Sequence, residues 1–237
     1  MTARGIIRTR TTGDGGSMNN YEWEEAGIPL RYYNAVLGNT AEEEKVRDFC
    51  LGKGTDTLII QGGNGTAKTR TFCASFTERS DSGMELGLYL SCKYMLCPMF
   101  RSVRLSTGGI SEYELYKKYY DTPYLVMDEP GKGDDPNLER AVVKNILSAR
   151  YDLGNLTGIA MNWTMKEFCD WLGVEGTSRL RETATVLTLD GVDWRSENRE
   201  RPHVAEKKPE TTIRCIVCGS PMTSEGSCTN EKCSCHI

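Results

Sequence analysis

Residues 56–69 read Asp-Thr-Leu-Ile-Ile-Gln-Gly-Gly-Asn-Gly-Thr-Ala-Lys-Thr, and this stretch constrains the fold more than any other. Leu58, Ile59 and Ile60 form a short apolar run, the pattern of a strand covered on both faces. Gly62, Gly63 and Gly65 let the chain curl, so that the N–H groups of Gly62, Gly63, Asn64, Gly65, Thr66 and Ala67 can converge on phosphate oxygens. Lys68 and Thr69 then lead into a helix predicted to run to about Arg79. A strand, a glycine-rich turn and a helix in that order make a phosphate-binding loop. In such a loop the lysine reaches the β- and γ-phosphates of ATP, and the threonine hydroxyl binds Mg²⁺.

Other polar residues fall where that reading needs them. Residues 124–129, Tyr-Leu-Val-Met-Asp-Glu, are an apolar run ending in adjacent carboxylates. Asp128 is placed to hold Mg²⁺ through its water shell, and Glu129 to polarise the attacking water. Residues 157–162, Thr-Gly-Ile-Ala-Met-Asn, make a further strand ending in Asn162, a candidate γ-phosphate sensor. The plainer reading of Asn162 is a turn residue ahead of Trp163 and a helix from about Thr164. Arg179 and Arg181 lie two apart on a predicted helix and point in different directions, so only one can enter a neighbouring subunit's nucleotide site. Surface charge is the plainer reading of both.

The remaining segments fill in an α/β domain. Thr40-Ala-Glu-Glu43 is a capping box, and Val46, Phe49 and Cys50 give the helix after it an apolar stripe. Residues 86–92 read as a strand, and 93–120 as a helix in two pieces around Thr107-Gly-Gly109. Tyr113, Tyr116 and Tyr119 follow an i, i+3 spacing that predicts a packing face. Asp134 and Asp135 read as a solvated loop before an amphipathic helix over 138–153. The last strand spans 185–190, and residues 191–195 close the domain.

Composition excludes several classes. A net charge of −4 leaves no global basic footprint for nucleic acid, so any such contact is local. No apolar run approaches the roughly 20 residues that span a bilayer. Arg4, Arg8 and Arg10 precede no apolar segment, so the start of the chain is not a secretory signal, and Met18 is a possible alternative start. The expected location is the cytoplasm of a bacterium or a phage-infected host. Cys50, Cys73, Cys92, Cys97 and Cys169 are scattered through predicted elements and read as reduced, small core residues.

The motif order is Gly-Ile-Pro-Leu-Arg-Tyr (27–32), the loop (62–69), Leu-Val-Met-Asp-Glu (125–129), Ala-Arg-Tyr (149–151), Ile-Ala-Met-Asn (159–162), Ser-Arg-Leu-Arg (178–181) and Asp-Trp-Arg (193–195). Over residues 26–196 this order resembles the AAA+ ATPases of the DnaC-type helicase loaders and the related IstB transposition helpers, including phage versions. The resemblance implies a P-loop NTPase with a five-stranded parallel sheet, strand order 5-1-4-3-2, and helices on both faces. It implies an arginine finger at Arg179 acting in trans and a second sensor arginine at Arg195. It also implies ATP-dependent homo-oligomers on single-stranded DNA or around a replicative helicase. Ala67 stands where the loop's last glycine is expected, as in the similar P-loops of MCM helicases and MoxR-type ATPases; its methyl can crowd the β-phosphate or the site can adapt, and the alanine reads as tolerated. Two further departures concern the ends. About 25 residues, read as unstructured over 1–25, take the place of a loader's helicase-binding domain, and a cysteine-rich tail is added.

Residues 197–212 are charged, contain proline and read as a linker. Residues 213–237 then carry Cys215-Ile-Val-Cys218 and Cys228-Thr-Asn-Glu-Lys-Cys233-Ser-Cys-His236. Four thiolates satisfy tetrahedral Zn²⁺, and a segment this small needs a metal to fold, so the tail resembles a zinc ribbon. Cys215, Cys218, Cys228 and Cys233 are the expected ligands, with Cys235 or His236 able to replace Cys233. Three functions follow: an ATPase that loads or remodels a replicative helicase, an ATPase that assists transposition, or a zinc-ribbon adaptor for nucleic acid or protein with a weakened nucleotide site.

Overall fold

The computed structural model describes residues 20–105 and 109–190. Arg195, the linker and the cysteine-rich tail lie outside the described residues. Five strands form one parallel sheet in the order β2-β3-β4-β1-β5: β1 (Thr57–Gln61), β2 (Leu88–Ser91), β3 (Tyr124–Asp128), β4 (Leu156–Met161) and β5 (Ala184–Thr188). Read from the other edge, this is the expected 5-1-4-3-2. The helices are α1 (Asn20–Glu25), α2 (Ala41–Cys50), α3 (Lys68–Asp81), α4 (Cys97–Leu105), α5 (Glu112–Asp121), α6 (Pro136–Leu153), α7 (Met165–Leu172) and α8 (Val174–Thr183). A π-helical turn, Cys92–Leu96, leads from β2 into α4.

Alternation along the strands divides the interior into two cores. Leu58, Ile60, Val126 and Ala160 face α2 and α3, whose Phe49, Phe72 and Phe76 are buried there. Ile59, Leu125, Met127, Ile159 and Met161 face the opposite way, toward Phe100, Leu115, Ile146, Phe168 and Leu180 of α4 to α8. Both faces are therefore covered, as parallel strands require. The capping box at Thr40 forms as read, and Ser111 and Thr164 build two more at the starts of α5 and α7. Among the described residues no helix is long and apolar enough to cross a membrane.

Three expectations change. Order begins ahead of residue 26: Asn20–Glu25 is helical, and Trp23 is buried against Tyr33. Tyr116, Tyr119 and Tyr120 turn toward the core, while Tyr113 is 71% exposed, because α5 starts at Glu112 and its inner face follows Leu115 and Tyr119. Asp134 and Asp135 are anchors rather than free solvated charges. Asp135 caps α6 by accepting from Leu138 N, with Pro136 in the first turn, and Arg101 of α4 bridges both carboxylates. The Asp-Pro pair is itself a helix-start signal.

At the N-terminal ends of the strands, Arg150 of α6 is 1% exposed and has no acidic partner among the described residues. Its guanidinium donates to Tyr119 O (2.6 Å), Thr122 O (2.7 Å), Leu156 O (2.5 Å) and Thr157 Oγ1 (2.8 Å). Burial pulls its pKa down, and the surrounding oxygens offset the loss of water. A lysine carries the charge but not the five-donor fork, so it leaves several of these oxygens unpaired. We predict that Arg150→Lys lowers the unfolding free energy by about 3 kcal/mol, the scale of one or two unsatisfied buried groups. Urea unfolding measures this, and a midpoint equal to that of the wild type would reject it.

Candidate functional site

The loop after β1 is fixed from several sides. Leu189 N donates to Gln61 O at 2.9 Å, which carries the chain beyond β5 close beside the loop. A Cβ on Gly62 would stand 2.3 Å from Leu189 O, so glycine is required there. Thr66 Oγ1 donates to Gly63 O at 3.0 Å. The Lys68 ammonium lies within the loop, donating to Gly62 O at 2.9 Å and Gly63 O at 2.6 Å. Helix α3 begins at Lys68, directly after the loop, so its unpaired N-terminal N–H groups adjoin it. Ala67 takes φ 64° and ψ 10°, the left-handed conformation in which glycine is unstrained and an L-alanine is not.

Helix α3 crosses β4 to reach the end of β3. Gly158 makes this possible: a Cβ there would stand 2.6 Å from the ring of Phe72. At the far side of the crossing, Thr69 Oγ1 lies 3.1 Å from each carboxylate oxygen of Asp128. Tyr89 of β2 donates its phenol hydrogen to Asp128 Oδ2 at 2.5 Å. Asp128 is 8% exposed. Burial raises its pKa against the opposing effect of the Tyr89 and Thr69 hydrogen bonds. Thr69 and Asp128 together present oxygen donors only, which suits a hard divalent cation such as Mg²⁺.

Strand β3 stops at Asp128, and Glu129 turns into the left-handed region with φ 53°. Its N–H still donates to Ala160 O at 2.8 Å. Asn162 Nδ2 donates to Glu129 Oε1 at 3.2 Å, so the residues ending two adjacent strands meet through their side chains. The loop that follows is tied to the buried Glu139, which accepts from Gly131 N at 2.8 Å and Gly133 N at 2.9 Å.

Lys68, Thr69, Asp128, Glu129 and Asn162 thus gather along the C-terminal ends of β1, β3 and β4. Arg179 does not join them. It lines a small cleft with Asp56, Thr57 and Asn155, at the N-terminal ends of β1 and β4, and pairs with Asp152 at 3.7 Å. The length of the sheet, roughly 16 Å for five residues, separates it from the loop of its own chain. Arg181 is exposed. Arg195, Cys215, Cys218, Cys228 and Cys233 lie outside the described residues, as do Cys235 and His236. Among the described residues no cluster of metal-ligating side chains occurs, and Cys50, Cys73, Cys92 and Cys97 are buried free thiols.

Two features of the site escape local sequence patterns. One is Tyr89, an isolated aromatic on a strand. The other is an open groove of about 470 Å³ beside the loop, lined by Thr40, Glu43, Ala67, Arg70, Leu187 and Asp190 among others. Both depend on elements far apart in the chain.

No protein-family model and no curated protein sequence matches the chain. Solved structures do. The DnaC helicase loader superposes with a TM-score of 0.55 at 19% identity, covering 68% of this chain and 100% of that one. DnaI gives 0.55 at 17% identity, covering 70% and 93%. The replication initiator DnaA, bound to AMPPCP and single-stranded DNA, gives 0.55 at 18% identity, covering 69% of this chain and 51% of its own. At such identities the likeness establishes the fold alone: an α/β domain with a five-stranded parallel sheet, shared with these proteins.

The left-handed alanine yields a stability prediction. Ala67→Gly removes the steric cost of φ 64° while adding unfolded-state freedom, for a net gain of about 1 kcal/mol. Thermal or urea unfolding reads this directly, and a less stable variant would show that the Ala67 methyl makes compensating contacts.

Proposed function

We propose that the chain is a Mg²⁺-dependent ATPase of DNA replication that loads or remodels a replicative helicase on single-stranded DNA. The observation that carries the reading is the meeting of Thr69, Asp128, Glu129 and Asn162 above the loop that holds Lys68. A binding-only module has no use for a carboxylate held beside the cation position in a strained backbone. The fold shared with DnaC, DnaI and DnaA supports the replication context.

In this reading the loop N–H groups of residues 62–67 and the Lys68 ammonium bind the β- and γ-phosphates of ATP. The nucleoside lies in the groove between Thr40 and Asp190. Thr69 and Asp128 hold Mg²⁺, which when bound neutralises phosphate charge. Glu129 accepts a proton from the attacking water while the water oxygen bonds to the γ-phosphorus and the bond from that phosphorus to the β–γ bridging oxygen breaks, that oxygen leaving with ADP. Asn162 orients Glu129 through the hydrogen bond its side-chain amide donates and senses the γ-phosphate. Arg179, remote from its own loop, completes the site of the next subunit and stabilises charge on that subunit's γ-phosphate. Arg195 is assigned the second sensor position by the resemblance alone. The domain occupies residues 26–196 together with α1 ahead of them, whose Trp23 packs in its core, with the 197–212 linker and a 213–237 zinc-binding tail beyond it.

Steady-state ATP hydrolysis with and without single-stranded DNA tests the reading. Glu129→Gln is expected to lower kcat by about 100-fold or more while retaining nucleotide binding. Arg179→Ala is expected to lose activity when mixed with itself and to regain part of it when mixed with Glu129→Gln subunits, which supply intact fingers. Wild type without hydrolysis, either with DNA or with a cognate helicase added, would reject the motor and favour the adaptor. The tail is tested separately: one Zn²⁺ per chain is expected to be released on thiol modification. Zinc-free protein would reject the ligand set Cys215, Cys218, Cys228 and Cys233.

A further inference from the structure

We propose that Tyr89 is a positioning residue for the cation, fixing which oxygen of Asp128 faces the Thr69 side of the site. The inference rests on the nucleotide reading above and adds to it a residue outside every motif of the loop, the β3 end or the β4 end.

Thr69 cannot set the rotation of the Asp128 carboxylate, because its hydroxyl lies 3.1 Å from Oδ1 and 3.1 Å from Oδ2. Tyr89 breaks that symmetry. Its phenol donates to Oδ2 alone, at 2.5 Å, so Oδ2 carries one strong hydrogen bond that Oδ1 lacks, and Oδ1 is the oxygen left more open to the cation or its water shell. The phenol is itself fixed. Tyr89 is 5% exposed and packs in the same core as Trp23, Ala26, Ile28, Phe72 and Cys73. Its backbone N–H donates to Ala26 O at 2.7 Å, so the segment after α1 closes the free edge of β2 behind it. Register explains why a tyrosine is needed. Tyr89 stands opposite Val126, one same-face step before Asp128, whereas Ser91 stands opposite Asp128 itself. A ring pointing along the strand covers that step and brings a hydroxyl to the carboxylate; a shorter side chain at position 89 does not.

The general physics is that of an outer-shell partner. A group hydrogen-bonded to a metal-ligating carboxylate orients it, and its removal typically weakens metal affinity by 10- to 100-fold. The competing account is that a buried phenol simply needs an acceptor and finds Asp128. The two differ in what Tyr89→Phe does. An acceptor-seeking phenol can be replaced by the isosteric ring with a change in stability alone. A positioning phenol cannot be removed without a change in cation affinity.

The experiment measures binding of a fluorescent ATP analogue to the full chain in EDTA and across a Mg²⁺ titration, with Mn²⁺ binding to the protein–nucleotide complex read by electron paramagnetic resonance. For Tyr89→Phe we expect unchanged nucleotide affinity in EDTA. The half-saturating Mg²⁺ and Mn²⁺ concentrations should rise by about 10-fold or more. Equal cation half-saturation in wild type and variant overturns the inference. So does a variant weakened to the same factor in EDTA and in Mg²⁺, which marks general loosening of the fold. A wild type without any Mg²⁺-dependent gain in nucleotide binding overturns the nucleotide reading itself, a pattern distinct from both.

Discussion

The site depends on how closely α3 can lie over β4. In the strand order β2-β3-β4-β1-β5, the loop after β1 and the carboxylate at the end of β3 are two strands apart, with β4 between them. At about 4.8 Å per strand, a side chain from the loop cannot reach Asp128 unless the helix after the loop leans across. Gly158 in the middle of β4 provides the space, and the Phe72 ring fills it. That contact sets the tilt at which Thr69, one turn earlier on α3, meets Asp128 at 3.1 Å. Any side chain at position 158 would displace the helix, and with it the only hydroxyl that joins the loop to the β3 end among the described residues.

A second set of contacts holds the chain beyond β3. Glu129 sits at φ 53°, a conformation that costs a non-glycine residue on the order of 1 kcal/mol or more and persists only where surroundings enforce it. The surroundings are specific: Glu129 N to Ala160 O, Asn162 to the Glu129 carboxylate, Glu139 to Gly131 and Gly133, and Arg101 to Asp134 and Asp135. Arg101 belongs to α4 and Glu139 to α6, so helices from before and after β3 fix the same short loop.

The distribution of charge follows from the parallel sheet. Strands that all run one way place every helix N-terminus that follows a strand at one end, and the loop with Lys68 is at that end. Arg179 and Arg150 lie at the other. Arg150 is consumed by carbonyls and holds α5, α6 and β4 together, whereas Arg179 remains partly exposed and lightly paired with Asp152. One arginine is therefore committed to stability and the other is accessible, although neither differs from the other in sequence context by anything a local pattern could show.

Much of this architecture is legible in the order of residues alone. The apolar run 58–60, the glycine turn and Lys68-Thr69 dictate strand, loop and helix because each is a local preference satisfied within a few residues. The capping box at Thr40 and the stripe of Val46, Phe49 and Cys50 are local for the same reason, and the adjacent acids at 128–129 and Asn162 mark strand ends wherever they fall. Tertiary structure decided the rest. Ala67 looks like a conservative change until its φ of 64° is seen. Tyr113 shares its spacing with Tyr116 and Tyr119 but not their burial, since the helix start sets the phase of the buried face. Tyr89 reaching Asp128, Arg101 holding Asp134 and Asp135, and the separation of Arg179 from Lys68 all join segments tens of residues apart. Local sequence determines how the backbone turns at each point. Which side chains meet across the sheet is set by strand order and helix tilt, and those are fixed only when both cores close at once.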